Sequence, residues 1–204
     1  MRKVFCIAVT SFLLITGAFL ATKASETSTG NPAPNFTLTD SNGKTHTLAS
    51  LKGKFVVMEW VNYDCPFVRK HYDSGNMQKL QKAYTAKGVV WLSINSSAAG
   101  KQGNFPAERV NELIKERSAS PSAYLMDPDG TVGKLFGARN TPHMFIIDKQ
   151  GQIIYSGAID DKPSANKADV EAATNYVSQA LEEALVGKPI SVPTTQPYGC
   201  SVKY

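Results

Sequence analysis

Cysteine is scarce in this chain. The 204 residues contain three, Cys6, Cys65 and Cys200, and no two lie within four positions of each other. A short-range disulfide across one helical turn is therefore excluded. Histidine also numbers three, and His46, His71 and His143 stand at no spacing used by a metal-ligating motif. Charged residues make up only 19% of the chain against 42% apolar ones, an ordinary globular composition that excludes a disordered or fibrous protein. There is no internal repeat and no low-complexity tract, and no acidic residue precedes Glu26.

That last absence inflates the net charge. Twenty-two basic residues against 17 acidic ones give +5, but Arg2, Lys3 and Lys23 all precede Glu26, and without residues 1–24 the balance is 19 against 17, or +2. So small an excess implies no nucleic-acid partner. The length suits one domain with a substantial core.

Only one long apolar run is present. In "MRKVFCIAVTSFLLITGAFLATKAS" two basic residues precede an uncharged stretch from Val4 to Ala21 and a cluster of small residues, the order of a secretory signal. The run also approaches the length of a spanning helix. Residues 1–24 are thus expected to be a signal peptide, cleaved after Ala21 or Ala24, or an uncleaved anchor that is the protein's only link to a membrane. Either makes the remainder periplasmic or otherwise extracytoplasmic. Cys6 belongs to that segment, which leaves Cys65 and Cys200 to the exported part.

Residues 25–34, "SETSTGNPAP", read as a polar linker. Residues 35–187 follow as one domain and residues 188–204 as a flexible tail carrying Cys200. Within the domain, "NFTLTDSNGKTHTL" predicts a hairpin about Ser41-Asn42-Gly43, and "KFVVMEWVN" and "VVWLSIN" predict buried strands. Pro66 opens a helix that Gly75 kinks or breaks and Gly88 ends. "PAERVNELIKER" predicts a second helix, "SAYLMDPDG" a strand, and Val132–Phe136 a short helical segment. "ARNTPHMFIIDKQGQIIYSGAI" predicts a hairpin of two strands, and Ala168 to Val186 a last helix. Alternating strands and helices followed by an antiparallel pair imply an α/β fold, a mixed central sheet flanked by helices with an N-terminal hairpin extension.

Cys65 falls where a buried strand gives way to a helix. A thiol there faces unpaired backbone N–H groups and the positive end of the helix dipole, which favour thiolate over thiol. Arg69 and Lys70 add positive potential if they fold back. A permanent Cys65–Cys200 disulfide is the other reading, the default for a cysteine pair in an exported domain. Glu59, in the middle of a buried strand, is expected to have a raised pKa and to carry protons near neutrality; at a strand edge it would instead meet solvent or a lysine. His71, six residues after Cys65, reads as a solvated helix histidine, and "FVRKHY" as a solvated helix face.

"APNFTLTDSNGKTHTLASLKGKFVVMEWVNYDCPF" and "NTPHMFIIDKQGQIIYSG" resemble the thioredoxin-fold redoxins. That group holds the peroxiredoxins of the alkyl hydroperoxide reductase/thiol-specific antioxidant superfamily and exported thiol–disulfide oxidoreductases. "DCPFVRKHY" with the terminal "YGCSVKY" resembles a peroxiredoxin-like bacterial branch, and the resemblance runs from Ala33 to Tyr204. It implies a thioredoxin-like fold and a thiol oxidoreductase or antioxidant enzyme that needs no cofactor and no metal. Its partner is a protein thiol or disulfide, or a peroxide. Cys65 matches the first cysteine of the thioredoxin motif, and the second position is Val68. The resemblance makes Cys65 the attacking thiol and Cys200 the resolving one, Glu59 the match of the buried thioredoxin aspartate, and Thr141-Pro142 the cis-proline loop that shapes a docking groove with Pro66. Two departures weaken peroxide chemistry. Asn62 and Met58 stand where peroxiredoxins have Thr or Ser and Pro, and Thr141-Pro142 stands where they place an arginine, with Arg139 nearby. A copper(I) carrier is the competing function, with Cys65, His143 and Cys200 as ligands, although Arg69 occupies the place of such carriers' second cysteine.

Overall fold

The computed structural model describes Met1 and residues 28–204. The apolar N-terminal segment, Cys6 and the first part of the linker lie outside the described residues. Among the described residues no helix is long and apolar enough to cross a membrane.

The N-terminal hairpin is β1 (Thr37–Asp40) and β2 (Thr45–Thr47). Its turn is held by the Asp40 carboxylate, which accepts from the Asn42 and Lys44 backbone N–H groups at 2.9 Å each, with Gly43 at φ +81° between them. A single 3-10 turn, Leu48–Leu51, leads to β3 (Val56–Trp60), every residue of which is buried. Val56, Met58 and Trp60 enter the core on one face of the sheet, with Phe136 and Phe145, while Val57 enters the other with Tyr72 and Trp91. Strand alternation puts Glu59 on that second face.

Pro66 opens α1 (Pro66–Asp73), where a missing N–H costs nothing. Gly75, at φ +75°, makes the break expected there, and α2 (Asn76–Thr85) follows. Next come β4 (Val90–Asn95), α3 (Ala107–Glu116), β5 (Ala123–Met126), α4 (Thr131–Leu135), β6 (Asn140–Thr141), β7 (His143–Ile147) and β8 (Ile153–Gly157). The main sheet runs β2-β1-β5-β4-β3-β7-β8. Strands β3, β4 and β5 are parallel, and β7 is antiparallel to β3. This is the mixed α/β, thioredoxin-like sheet that the sequence implied, with the hairpin added at one edge.

Two expectations differ. The predicted helix from Ala168 to Val186 is a 3-10 turn, Lys167–Val170, followed by α5 (Tyr176–Leu185). Asn175 ends the irregular stretch by capping α5, its side chain accepting from the Ser178 N–H at 2.9 Å. The tail is docked along its length. Ser156 donates to Pro193 O and accepts from Thr195 N, at 3.1 Å each. Cys200–Ser201 then form β9, paired antiparallel with β6. The Tyr204 ring lies against Gly130 and Gly133, and its hydroxyl donates to Ala138 O at 2.8 Å.

Candidate functional site

Cys65 sits at the N-cap of α1, directly after the β3 turn, and its carbonyl accepts the first helical bond from Arg69 N–H at 2.9 Å. Its thiol has no exposed surface. Sγ donates to the carbonyl of Thr141 at 3.0 Å, and the Thr141–Pro142 peptide is cis. The strand-to-helix junction and the cis-proline loop therefore meet at one sulfur. Pro142 and Thr141 are buried, whereas Pro66, at the start of α1, is exposed.

Cys200 completes the arrangement. In the β6–β9 ladder it lies directly opposite Thr141, so the residue that holds the Cys65 thiol is also the register partner of the second cysteine. Both cysteines are free thiols. Burial, then a hydrogen bond with Cys65 and the Cys65 charge, push the Cys200 thiol up to about 11. Cys200 is half-buried, so it forms the outer part of a thiol pair whose inner member has no contact with solvent.

Glu59 is wholly buried on β3. Tyr72 Oη donates to Oε1 at 2.8 Å, and Trp91 Nε1, Ser93 Oγ and Gln81 Nε2 donate to Oε2 at 2.9, 3.0 and 3.3 Å. Burial raises its pKa above the ordinary glutamate value, and the four donors oppose that rise. All four of these partners belong to the sheet and to helices α1 and α2; neither cysteine is among them. Glu59 is therefore buried as expected, and any exchange of protons with the thiols runs through intervening groups.

Other sequence-level expectations fail here. Arg69 turns along α1 toward Asp73, 3.9 Å away and exposed, so it does not fold back on Cys65. Lys70 and His71 are buried, not solvated. Lys70 Nζ pairs with Asp160 at 3.1 Å and donates to Lys162 O at 2.6 Å and to Tyr198 Oη at 3.2 Å. His71 Nε2 meets the same Tyr198 hydroxyl at 3.1 Å, and its Nδ1 meets Asn76 Nδ2 at 2.9 Å. The Tyr198 hydroxyl donates in turn to Asp160. Burial, offset in part by Asp160, lowers His71 to about 4. A periodicity argument reads "RKHY" as polar; the tail and the loop after β8, distant in sequence, supply the partners that bury Lys70 and His71.

His143 belongs to the opposite face. It stacks on Phe145 with ring centroids 4.5 Å apart and accepts from Arg139 N–H, and burial lowers it to about 3. Arg139 lines the same cleft as His143, between α4, β8 and the tail. Copper(I) is thus left without its histidine, and among the described residues no three His, Cys, Asp or Glu side chains converge as a metal site would need. Asp160, Tyr198 and Gly199 went unnoticed in the sequence. The glycine directly before Cys200 was the one available signal.

The family model described as Redoxin matches residues 28–174. A thiol-disulfide oxidoreductase, ResA, of Bacillus thuringiensis subsp. konkukian is 30% identical over 152 residues, which cover 74% of this chain and 80% of the relative. ResA of Bacillus cereus is 29% identical over 70% of this chain and 76% of its own length. Among solved structures, an uncharacterized conserved protein of Geobacillus kaustophilus superposes with a TM-score of 0.75 at 26% identity, covering 88% of this chain and 94% of the other. A hypothetical protein of Sinorhizobium meliloti superposes with 0.72 at 27% identity over 87% and 94%.

Proposed function

The chain belongs to the Redoxin family, and from that premise we propose that this thiol oxidoreductase exchanges disulfides with proteins outside the cytoplasm, Cys65 attacking and Cys200 resolving. The observation that carries this is the seating of Cys200 opposite Thr141, whose carbonyl takes the Cys65 thiol. Relatives named thiol-disulfide oxidoreductase support the reaction class. Extracytoplasmic placement rests on the sequence of residues 1–24.

The chemistry has a built-in order. Cys65, at the positive end of α1, attacks one sulfur of a partner disulfide; the partner's other sulfur leaves as a thiolate and takes up a proton. While Cys65 is free, the Cys200 thiol at about 11 stays protonated near neutral pH. Once Cys65 is in the mixed disulfide, its hydrogen bond and its charge no longer act on Cys200, and two of the three influences that raise that thiol are gone. Cys200 then loses its proton more readily and attacks Cys65 sulfur. The Cys65–Cys200 bond forms, the partner leaves as a dithiol, and two electrons and two protons have passed to it. The reverse sequence oxidises a partner.

Thr141, Pro142 and Pro66 frame the groove in which the partner lies, and Glu59 acts on protons at one remove through its hydrogen-bonded neighbours. Peroxide lacks a comparable group: Asn62 accepts from Asp64 N–H and donates to Gln102 O, and Arg139 lines the other cleft. The test is to mix reduced protein separately with a protein disulfide and with hydrogen peroxide, and to follow both cysteines by mass spectrometry. Rapid loss of both thiols to a Cys65–Cys200 bond with the protein disulfide is the expected result. Reaction with peroxide alone would overturn it, and so would a bond that forms once and never exchanges.

A further inference from the structure

Cys65 has no exposed surface, yet it must meet a sulfur on another molecule. β9 lies beside it, with Cys200 within hydrogen-bonding reach of the Cys65 thiol. The β6 edge holds the Cys65 thiol through Thr141 O and presents the backbone against which a cysteine can be brought up as a strand. The chain's own Cys200 already lies there in register. Contacts to this strand fall mostly on its main chain: Asn140 Nδ2 donates to Gly199 O at 2.8 Å, and Val202 N–H donates to Arg139 O at 3.0 Å. A strand held by its backbone can be replaced by another of the same shape.

One position is selective. Gly199 has φ +119°, and a Cβ built on it would overlap the Thr141 carbonyl oxygen and come within 3.3 Å of Phe67 Cβ. No residue but glycine fits immediately before the cysteine on this edge. The tail also lies beyond the Redoxin match, which ends at residue 174, and it is pinned by the Tyr198 hydroxyl on Lys70, His71 and Asp160.

We infer that β9 is a tethered stand-in for a partner's strand, and that the partner is an extended protein segment whose cysteine directly follows a glycine and which displaces β9 to reach Cys65. This rests on the disulfide-exchange function proposed above. The edge holds one strand at a time. When β9 returns, the Cys200 sulfur bonds to Cys65 sulfur, the partner's cysteine sulfur leaves as a thiol, and the partner strand loses its seat in the same event.

The test uses the reduced full chain as wild type, Gly199→Ala and Tyr198→Phe. The oxidants are disulfide-linked dimers of blocked Tyr-Gly-Cys-Ser and of blocked Tyr-Ala-Cys-Ser, with hydroxyethyl disulfide as an oxidant that has no peptide backbone. Wild type is expected to consume the glycine dimer at least about tenfold faster than the alanine dimer, the discrimination worth one lost close fit. Tyr198→Phe, which frees the tail without altering the edge, is expected to speed the glycine dimer and to keep that preference; Gly199→Ala unseats β9 directly and should do the same. Equal rates for the two dimers in wild type overturn the inference, as does a Tyr198→Phe chain no faster than wild type. Reaction with hydroxyethyl disulfide and neither peptide overturns it while leaving thiol exchange standing. Inertness toward all three disulfides removes the exchange function and the inference with it.

Discussion

Glu59 shows what one buried side chain can test. Its folded pKa is raised above 4.5, so its contribution to stability is complete below the ordinary glutamate value and declines as pH rises through the raised one. Glu59→Gln removes that decline. The stability difference between variant and wild type is therefore expected to move in the variant's favour as pH rises above 4.5, as read from urea midpoints. If Glu59 also relays protons, the variant's exchange rate loses one inflection of its pH profile; an unchanged profile denies it that role. At the thiols, Cys65→Ser is expected to abolish exchange. Cys200→Ser should stop the reaction at a mixed disulfide on Cys65, visible as an added partner mass; a variant that turns over normally would show that an external thiol resolves Cys65.

Helix α1 joins the site to the tail through charges that the sequence presents as surface. Lys70 and Asp160 form a fully buried pair, so Lys70→Met leaves an uncompensated carboxylate and is expected to cost about 3–5 kcal/mol. Arg69→Met, one residue earlier in an exposed pair, should cost about 0–1 kcal/mol. Chemical denaturation of the two variants side by side checks the contrast, and equal losses would mean that the buried pair is not coupled to folding. His71 adds a pH dependence of the opposite sign to that of Glu59. Its folded pKa is lowered from 6.5 to about 4, so its contribution is complete above 6.5 and is lost as pH falls toward 4. Asp160, Lys70, Tyr198 and Asn76 are the groups facing it. Because Tyr198 bonds to both His71 and Asp160, acid should loosen the tail before the sheet opens. Alkylation of the reduced protein at pH 5 is expected to reach Cys65 faster in wild type than in His71→Gln, and equal rates would deny His71 the role.

Over the whole molecule, strands β1 to β5, the break at Gly75 and the β7–β8 hairpin were legible in the sequence, because each rests on local periodicity or a turn residue. Cys65 was legible for the same reason, lying at a strand-to-helix junction. The tail was not. A two-residue strand has no periodicity, and β9 exists only because β6, some 60 positions earlier, offers an edge. The same distance hid Lys70 and His71, whose burial depends on Asp160 and Tyr198, and it misdirected His143, whose place beside Pro142 suggested the cysteine while strand alternation sends its ring to Phe145.

The long separation between β6 and β9 also bears on how the protein is made. A chain emerging in order presents Cys65, then Thr141, and only later the strand that seals them. At typical synthesis rates that interval is roughly 3–12 s. During it the nascent chain carries an open, strand-accepting thiol with no lid of its own. Newly made molecules are therefore the ones most exposed to capture by a foreign cysteine, and the pairing of β9 with β6 closes that window.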